Sequence, residues 1–155
     1  MNGLQSVIAS TSTLGQMYPS AHRSFTSSQW SGVIYLSDLS RWQIEAIRTL
    51  IQLLALPRNW DSYGSPPPLE VAVAAGVRLI LAIDIDYLVS PRIVPVSGGG
   101  VQLEWCLDSR EVEIEIDNEG SAEYLKSVDA KPVEEGPIAL ADLSRIRSLL
   151  TWLIA

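Results

Sequence analysis

VQLEWCLDSREVEIEID, residues 101–117, alternates apolar and polar side chains along both of its halves. Strict alternation is typical of a strand with one buried face. Asp108-Ser109 has the length and composition of a two-residue hairpin loop. With that loop, Trp105 faces Val112, and every other apolar residue of one strand likewise faces an apolar residue of the other. A slip of one residue would turn the whole set to solvent, so the register is strongly specified.

The opposite face of this predicted hairpin is rich in carboxylates. The register places Glu104 across from Glu113, and a third strand places Glu115 across from Glu123. Like charges directly opposed destabilise a sheet by a few tenths to about 1 kcal/mol per pair. The remainder of this surface comprises Gln102, Cys106, Glu111 and Asp117.

Three interpretations of the acidic face stay open. It is a solvated surface whose charge opposes aggregation, a docking face for a basic protein whose Lys or Arg side chains relieve the repulsion, or a divalent-cation site. Carboxylates suit calcium or magnesium, but no segment resembles a calcium-binding loop. Arg145 and Arg147, near the C-terminus, are candidates to neutralise part of the face from within the chain.

The strand pattern extends on both sides of the hairpin. Residues 92–96 precede a glycine turn at 98–100, and residues 121–128 follow a three-residue loop at 118–120. Residues 134–137, rich in Glu and bounded by proline, are predicted to be an acidic loop. These segments predict a meander of three to four antiparallel strands.

Three further segments have helical patterns. The first begins near Ser37 or Ser40, and Ser40 can form a capping box with Gln43. The second spans residues 69–83 and is apolar nearly all round. Its β-branched residues leave a strand interpretation open there. The predicted buried stripes comprise Trp42, Ile44, Ile47, Leu50, Ile51 and Leu54 in the first helix and Leu140, Leu143, Ile146, Leu149, Leu150 and Leu153 in the last. We therefore expect an α+β domain at residues 37–155, its meander packed against two or three helices.

LPRNWDSYG, residues 56–64, forms the predicted corner between the first two helices. Asn and Asp side chains readily bond backbone groups in turns, and Trp60 and Tyr63 can fill the corner. A structural motif is the favoured interpretation. The alternative is a small ligand-binding or enzymatic domain with a pocket between Asn59 and Tyr63.

Charge and composition limit the classes of partner. The net charge is −7, and residues 104–135 alone hold eleven acidic against three basic residues, a net charge of −8. Nucleic-acid binding through a basic face is therefore not expected. The longest apolar stretch, residues 69–83, is interrupted by Glu70 and Arg78, which argues against a membrane span. A single cysteine, Cys106, fits a reducing compartment, so we expect a cytoplasmic protein.

The N-terminal residues 1–36 are rich in Ser and Thr and contain no acidic residue. We expect a flexible arm there, with residues 33–36 as a candidate edge strand. The arm also holds His22, the only histidine, which argues against a Ser–His–Asp triad and, with one cysteine, against a zinc site. The sequence predicts no catalytic residue, no cofactor and no metal ligand.

Several motifs, in their order along the chain, together resemble a family of small bacterial proteins. They are the corner at residues 56–64 with Pro66-Pro67-Pro68, the segment Gly99-Gly100-Val101-Gln102-Leu103-Glu104-Trp105, and Glu113-Ile114-Glu115-Ile116 with Gly120 and Tyr124. The members of this family share an L-P-x-N-W-D-x-Y-G corner and a G-G-x-x-x-E-W strand. The resemblance covers about residues 40–154. It implies a shared fold unit and a bacterial or mobile-element setting, and it carries no catalytic set over to this chain.

The resulting hypothesis is a non-enzymatic interaction protein, antitoxin-like or an accessory of a defence or anti-defence system. Its partner would be basic. The predicted contact residues are Glu104, Glu111, Glu113, Glu115 and Glu123, with Trp60 and Tyr63 as anchors.

Overall fold

The computed structural model describes residues 38–85 and 87–155. The arm predicted for residues 1–36, with its candidate edge strand, lies outside the described residues. The helices are α1 (Arg41–Leu53), α2 (Glu70–Ala82) and α3 (Leu143–Ile154). The strands are β1 (Arg92–Val96), β2 (Gly100–Leu107), β3 (Arg110–Ile116), β4 (Ala122–Val128) and β5 (Lys131–Ile138).

The strands form one antiparallel meander in the order β1-β2-β3-β4-β5, so the predicted α+β class is confirmed. The predicted count of three to four strands is too low, since the segment taken for an acidic loop belongs to β5. Pro132, Gly136 and Pro137 concealed this strand in the sequence. Proline is tolerated on an edge strand because the missing N–H can be one that would face solvent.

The predicted register is confirmed at every position of the first hairpin. Trp105 pairs with Val112 and Glu104 with Glu113, and Asp108 adopts the left-handed conformation of the loop with φ 54°. The second hairpin agrees as well, with Glu115 opposite Glu123.

All three helices contribute to one core on the apolar face of the sheet. Trp105, Leu103 and Ile114 are fully buried against them. The strand interpretation of residues 69–83 is wrong, because α2 covers most of this segment. In α3 the predicted stripe is buried from Ile146 to Leu153, but Leu143 is exposed and Leu140 precedes the helix.

Helix α1 begins at the predicted capping box, in which Ser40 and Gln43 bond each other's backbone N–H groups. Its predicted buried stripe is only partly correct. The core side of the helix is formed by Trp42, Gln43, Ala46 and Leu50, whereas Ile51 and Leu54 are 54% and 39% exposed. The Gln43 amide also donates to the carbonyl oxygens of Ile80 (3.0 Å) and Ile83 (3.1 Å), which ties α1 to the end of α2.

Candidate functional site

The sheet has a second face, turned away from the helical core, which we call the outer face. Among the described residues, the helices share the hydrophobic core with strand residues of the inner face, such as Leu103, Trp105 and Ile114. The strand registers place on the outer face the side chains of Arg92, Val94, Val96, Gln102, Glu104, Cys106, Glu111, Glu113, Glu115, Glu123, Leu125, Ser127, Pro132, Glu135 and Pro137. Five of them are the glutamates predicted from the sequence, and the structure brings all five together.

Because successive side chains of a strand point to opposite faces, most negative charges of the sheet lie on the outer face and most positive charges on the inner face. Six glutamates point outward, while Arg110 and Lys126, on the same strands, occupy inward positions. Arg92 is the cation that the described strands place on the outer face. It is 3.4 Å from Glu104, and the Arg92 side chain is 74% exposed whereas the Glu104 side chain is 13% exposed. One arginine offsets one of the six outward negative charges.

Glu113 lies at the centre of the acidic cluster. Its carboxylate accepts a hydrogen bond of 2.8 Å from the Gln102 amide, which also donates to Glu104 at 3.1 Å. Partial burial raises the pKa of Glu113, and the neighbouring charges of Glu111, Glu104 and Glu115 raise it further, against an opposing effect of Arg92. The structure thus places Glu113 opposite Glu104, as the sequence predicted, with the Gln102 amide between the two carboxylates.

The predicted internal neutralisation by the last helix is wrong. Arg145 bonds Glu134, an inward residue of β5, and donates to the Tyr124 hydroxyl at 2.6 Å. Lys126 approaches Glu134 at 2.7 Å, and these hydrogen bonds, with Lys126 the largest contributor, lower the pKa of Glu134 to about 2. Arg145 and Lys126 thus join α3 to the inner face of the sheet, and their charges do not neutralise the glutamates of the outer face.

Arg147, Arg110 and Lys126 also make contacts on the side of the sheet that the helices cover. Arg147 lies 3.8 Å from Asp84. The Arg110 guanidinium and the Lys126 ammonium lie 5.3 and 4.3 Å from the ring centroid of Trp152, and Arg110 donates to the Trp152 carbonyl at 2.7 Å.

The corner at residues 56–64 is held together by the carboxylate of Asp61. It accepts hydrogen bonds from the hydroxyls of Ser65 (2.5 Å) and Ser97 (2.9 Å) and from the N–H of Tyr63 (2.9 Å). These bonds, led by that of Ser65, hold the pKa of Asp61 well below its ordinary range. Because Ser97 belongs to the β1–β2 connection, the corner is joined to one end of the sheet.

The remaining polar side chains of the corner are likewise bonded within it. Asn59 accepts from the Gly64 N–H at 2.7 Å, and the Trp60 indole donates to the Pro66 carbonyl at 2.9 Å. Tyr63 is 93% exposed and does not fill the corner as expected. This geometry favours the structural interpretation, with Tyr63 as an exposed aromatic on a rigid turn.

The described residues contain no group of three or more His, Cys, Asp or Glu side chains arranged to hold a metal ion. In the same part of the chain, each helix is too short or too polar to cross a membrane. Cys106 is exposed and pairs in register with Glu111, as the sequence predicted.

Searches against protein-family models, curated proteins and solved structures found no match. Two charged residues of the outer face, Arg92 and Glu135, were missed in the sequence. Residues 92–96, Arg-Ile-Val-Pro-Val, do not alternate and so gave no signal for the side on which Arg92 lies, and Glu135 was assigned to a loop.

Proposed function

We propose that the protein is a non-enzymatic interaction protein whose outer face binds a basic protein partner. The observation that carries the proposal is the combination of six glutamates with one exposed arginine on the sheet face opposite the helical core. Complementary charge on a partner gives specificity and fast association.

The energetics of the free protein support a cationic partner. Glu113 is half-buried among three other carboxylates, and its ionised form is disfavoured as a result. A Lys or Arg side chain placed between these groups would replace repulsion by attraction in a partly desolvated setting. A second copy of the outer face would instead add like charges, so a heterologous partner fits better.

The exposed aromatic Tyr63 is the proposed anchor beside this surface, with the half-buried Trp60 supporting it. The Asp61–Ser97 bond joins the corner to the β1–β2 connection. Glu115 and Glu123 lie toward the same end of the sheet, since β3 ends and β4 begins there. Tyrosine is favoured at interfaces because it supplies a large contact area at low entropic cost.

An antitoxin-like role, or a role as an accessory of a defence or anti-defence system in the bacterial cytoplasm, is the biological setting that we propose. It rests on the resemblance of the corner and strand motifs to the family of small bacterial proteins. The negative charge of the outer face would favour the approach of a basic partner in such a setting.

A comparative pull-down tests the proposal. Immobilised wild-type protein, Glu113→Lys and Glu45→Lys are exposed to lysate of the source cells, and bound proteins are identified at low and high salt. Glu45 lies on α1 and its exposed ion pair with Arg41 is worth little, so Glu45→Lys matches the charge change away from the outer face. A basic protein that is lost with Glu113→Lys and with salt, but kept with Glu45→Lys, supports the proposal. Equal recovery on all three baits refutes it.

A further inference from the structure

Three cations lie close together where the inner face of the sheet meets α3. They are Arg110, Lys126 and Arg145, which we call the basic cluster. The Arg110 guanidinium and the Lys126 ammonium lie 5.3 and 4.3 Å from the centroid of the Trp152 ring. Their charges are therefore within one Debye length of each other, about 10 Å at 0.1 M salt. The carboxylate of Glu134 joins Lys126 to Arg145.

The positive charge of the basic cluster exceeds the negative charge around it. Glu134 is the one carboxylate that the described structure places in ion pairs with the cluster. Asp142 lies near Arg145 as well, but it is exposed and accepts the N–H of Arg145 as the cap of α3. The contacts of Arg110 with Trp152 are to a neutral ring and a carbonyl oxygen, so they add no negative charge.

Several donors of the basic cluster remain without an acceptor among the described residues. Arg145 bonds Tyr124 and Glu134 through Nη2, and Arg110 bonds the Trp152 carbonyl through Nη1. The other nitrogens of both guanidinium groups make no hydrogen bond to a described residue. The Arg145 side chain is 39% exposed, so an ion can reach it from solvent, whereas the Lys126 side chain is only 14% exposed.

We propose that the basic cluster binds a dianionic oxyanion of the phosphate type. Guanidinium groups present planar pairs of donors that match the oxygens of such an ion, and an ammonium adds a compact positive charge. The anion would replace repulsion among three cations by attraction, in a setting that water screens only in part. The basic cluster lies on the opposite side of the sheet from the outer face, so this site is separate from the proposed protein-binding surface.

Titration with inorganic phosphate, followed by NMR of the ¹⁵N-labelled full chain, tests this site. Phosphate replaces chloride at constant ionic strength, which keeps general screening unchanged. We expect saturable shifts of the Trp152 indole N–H signal. The Trp60 indole, which is bonded to Pro66 in the corner, is the internal control and should not shift. A parallel titration with phenyl phosphate distinguishes the source of the oxyanion, because tighter binding than that of phosphate indicates a phosphoryl group on an organic ligand.

Variants of matched charge complete the test. Arg145→Gln should weaken phosphate binding about tenfold or more, because it removes a charge-assisted donor. Arg41→Gln makes the same change of charge in an exposed pair on α1 and should keep wild-type affinity. If Arg145→Gln does not fold, Arg110→Gln carries the same expectation. The inference is overturned if the wild type shows no saturable shift at Trp152, or if Arg41→Gln weakens binding as much as the cluster variant does.

Discussion

Glu104 and Glu113 lie directly opposite each other on β2 and β3, and the side-chain amide of Gln102 donates to both carboxylates. The native fold thus holds two like charges together and compensates them with a neutral donor. Arg92 assists from the rim. A neutral polar residue at either position would avoid this conflict, and the proposed docking of a basic partner rests on this pair.

Glu113→Gln should stabilise the isolated protein by a few tenths to about 1 kcal/mol at neutral pH, because it removes a like-charge pair and keeps an acceptor for Gln102. Thermal or urea unfolding measures the change. Glu119→Gln, in the exposed β3–β4 loop, is the control and should alter stability much less. A loss of stability in Glu113→Gln would show that the carboxylate is stabilising in the free protein.

The pH dependence of stability should contain two opposite contributions. The pKa of Glu134 is lowered from 4.5 to about 2 by Lys126, Arg145 and Tyr124, so its contribution is complete above pH 4.5 and is lost as the pH falls toward 2. The pKa of Glu113 is raised above 4.5, so its ionisation in the folded state costs stability at neutral pH, and that cost disappears as the pH falls toward 4.5. Unfolding midpoints of wild type, Glu134→Gln and Glu113→Gln, measured between pH 7 and pH 2, separate the contribution of Glu134 from that of Glu113.

In Glu134→Gln, the unfolding midpoint should fall less steeply than in wild type as the pH drops below 4.5. In Glu113→Gln, the midpoint should change less with pH than in wild type above pH 4.5. Identical curves for the three proteins would contradict both assignments.

Ala130→Gly should stabilise the β4–β5 turn by about 1 kcal/mol. Ala130 has φ 58°, and the left-handed conformation costs an L-residue with a Cβ roughly 1–2 kcal/mol. Ala139→Gly is the matched control, since Ala139 is not among the described residues with positive φ. The control should be neutral or destabilising. A denaturation midpoint of Ala130→Gly below that of wild type would count against the turn geometry.

The Asp61 side chain should matter for folding rather than for ligand binding. Asp61→Ala removes acceptors for Ser65, Ser97 and Tyr63 and should lower the melting temperature. Asp84→Ala, which removes a carboxylate with an ion pair of 3.8 Å, should change it much less. A saturable thermal shift of the wild type with a metabolite or divalent ion, abolished in Asp61→Ala, would favour the pocket at the corner instead.

The alternating hairpin could be predicted from the sequence because its two faces, its loop and the pairing of Trp105 with Val112 all require one register. Five of the six outward glutamates followed directly from that register, and Glu135 did not. The capping box of α1 was predictable for a similar reason, since Ser40 and Gln43 form it within one turn.

Features that depend on contacts between residues distant in the sequence could not be predicted in this way. The prolines of β5 suggest a loop unless its edge position is known. Helix α1 has more apolar residues than one face can bury. The sequence does not show that Ala46 lies in the core while Ile51 and Leu54 are exposed. Arg145 could have approached either face, and it is the inward position of Glu134 that determines its partner.

The affinity of the purified basic partner for three proteins tests the outer-face account most directly. Isothermal titration calorimetry at two salt concentrations would compare wild type, Glu113→Lys and Glu45→Lys. We predict at least a tenfold loss of affinity for Glu113→Lys, about 1.4 kcal/mol or more, wild-type affinity for Glu45→Lys, and weaker binding by wild type at high salt. Equal affinities for the two variants, or salt-independent binding, would contradict the account.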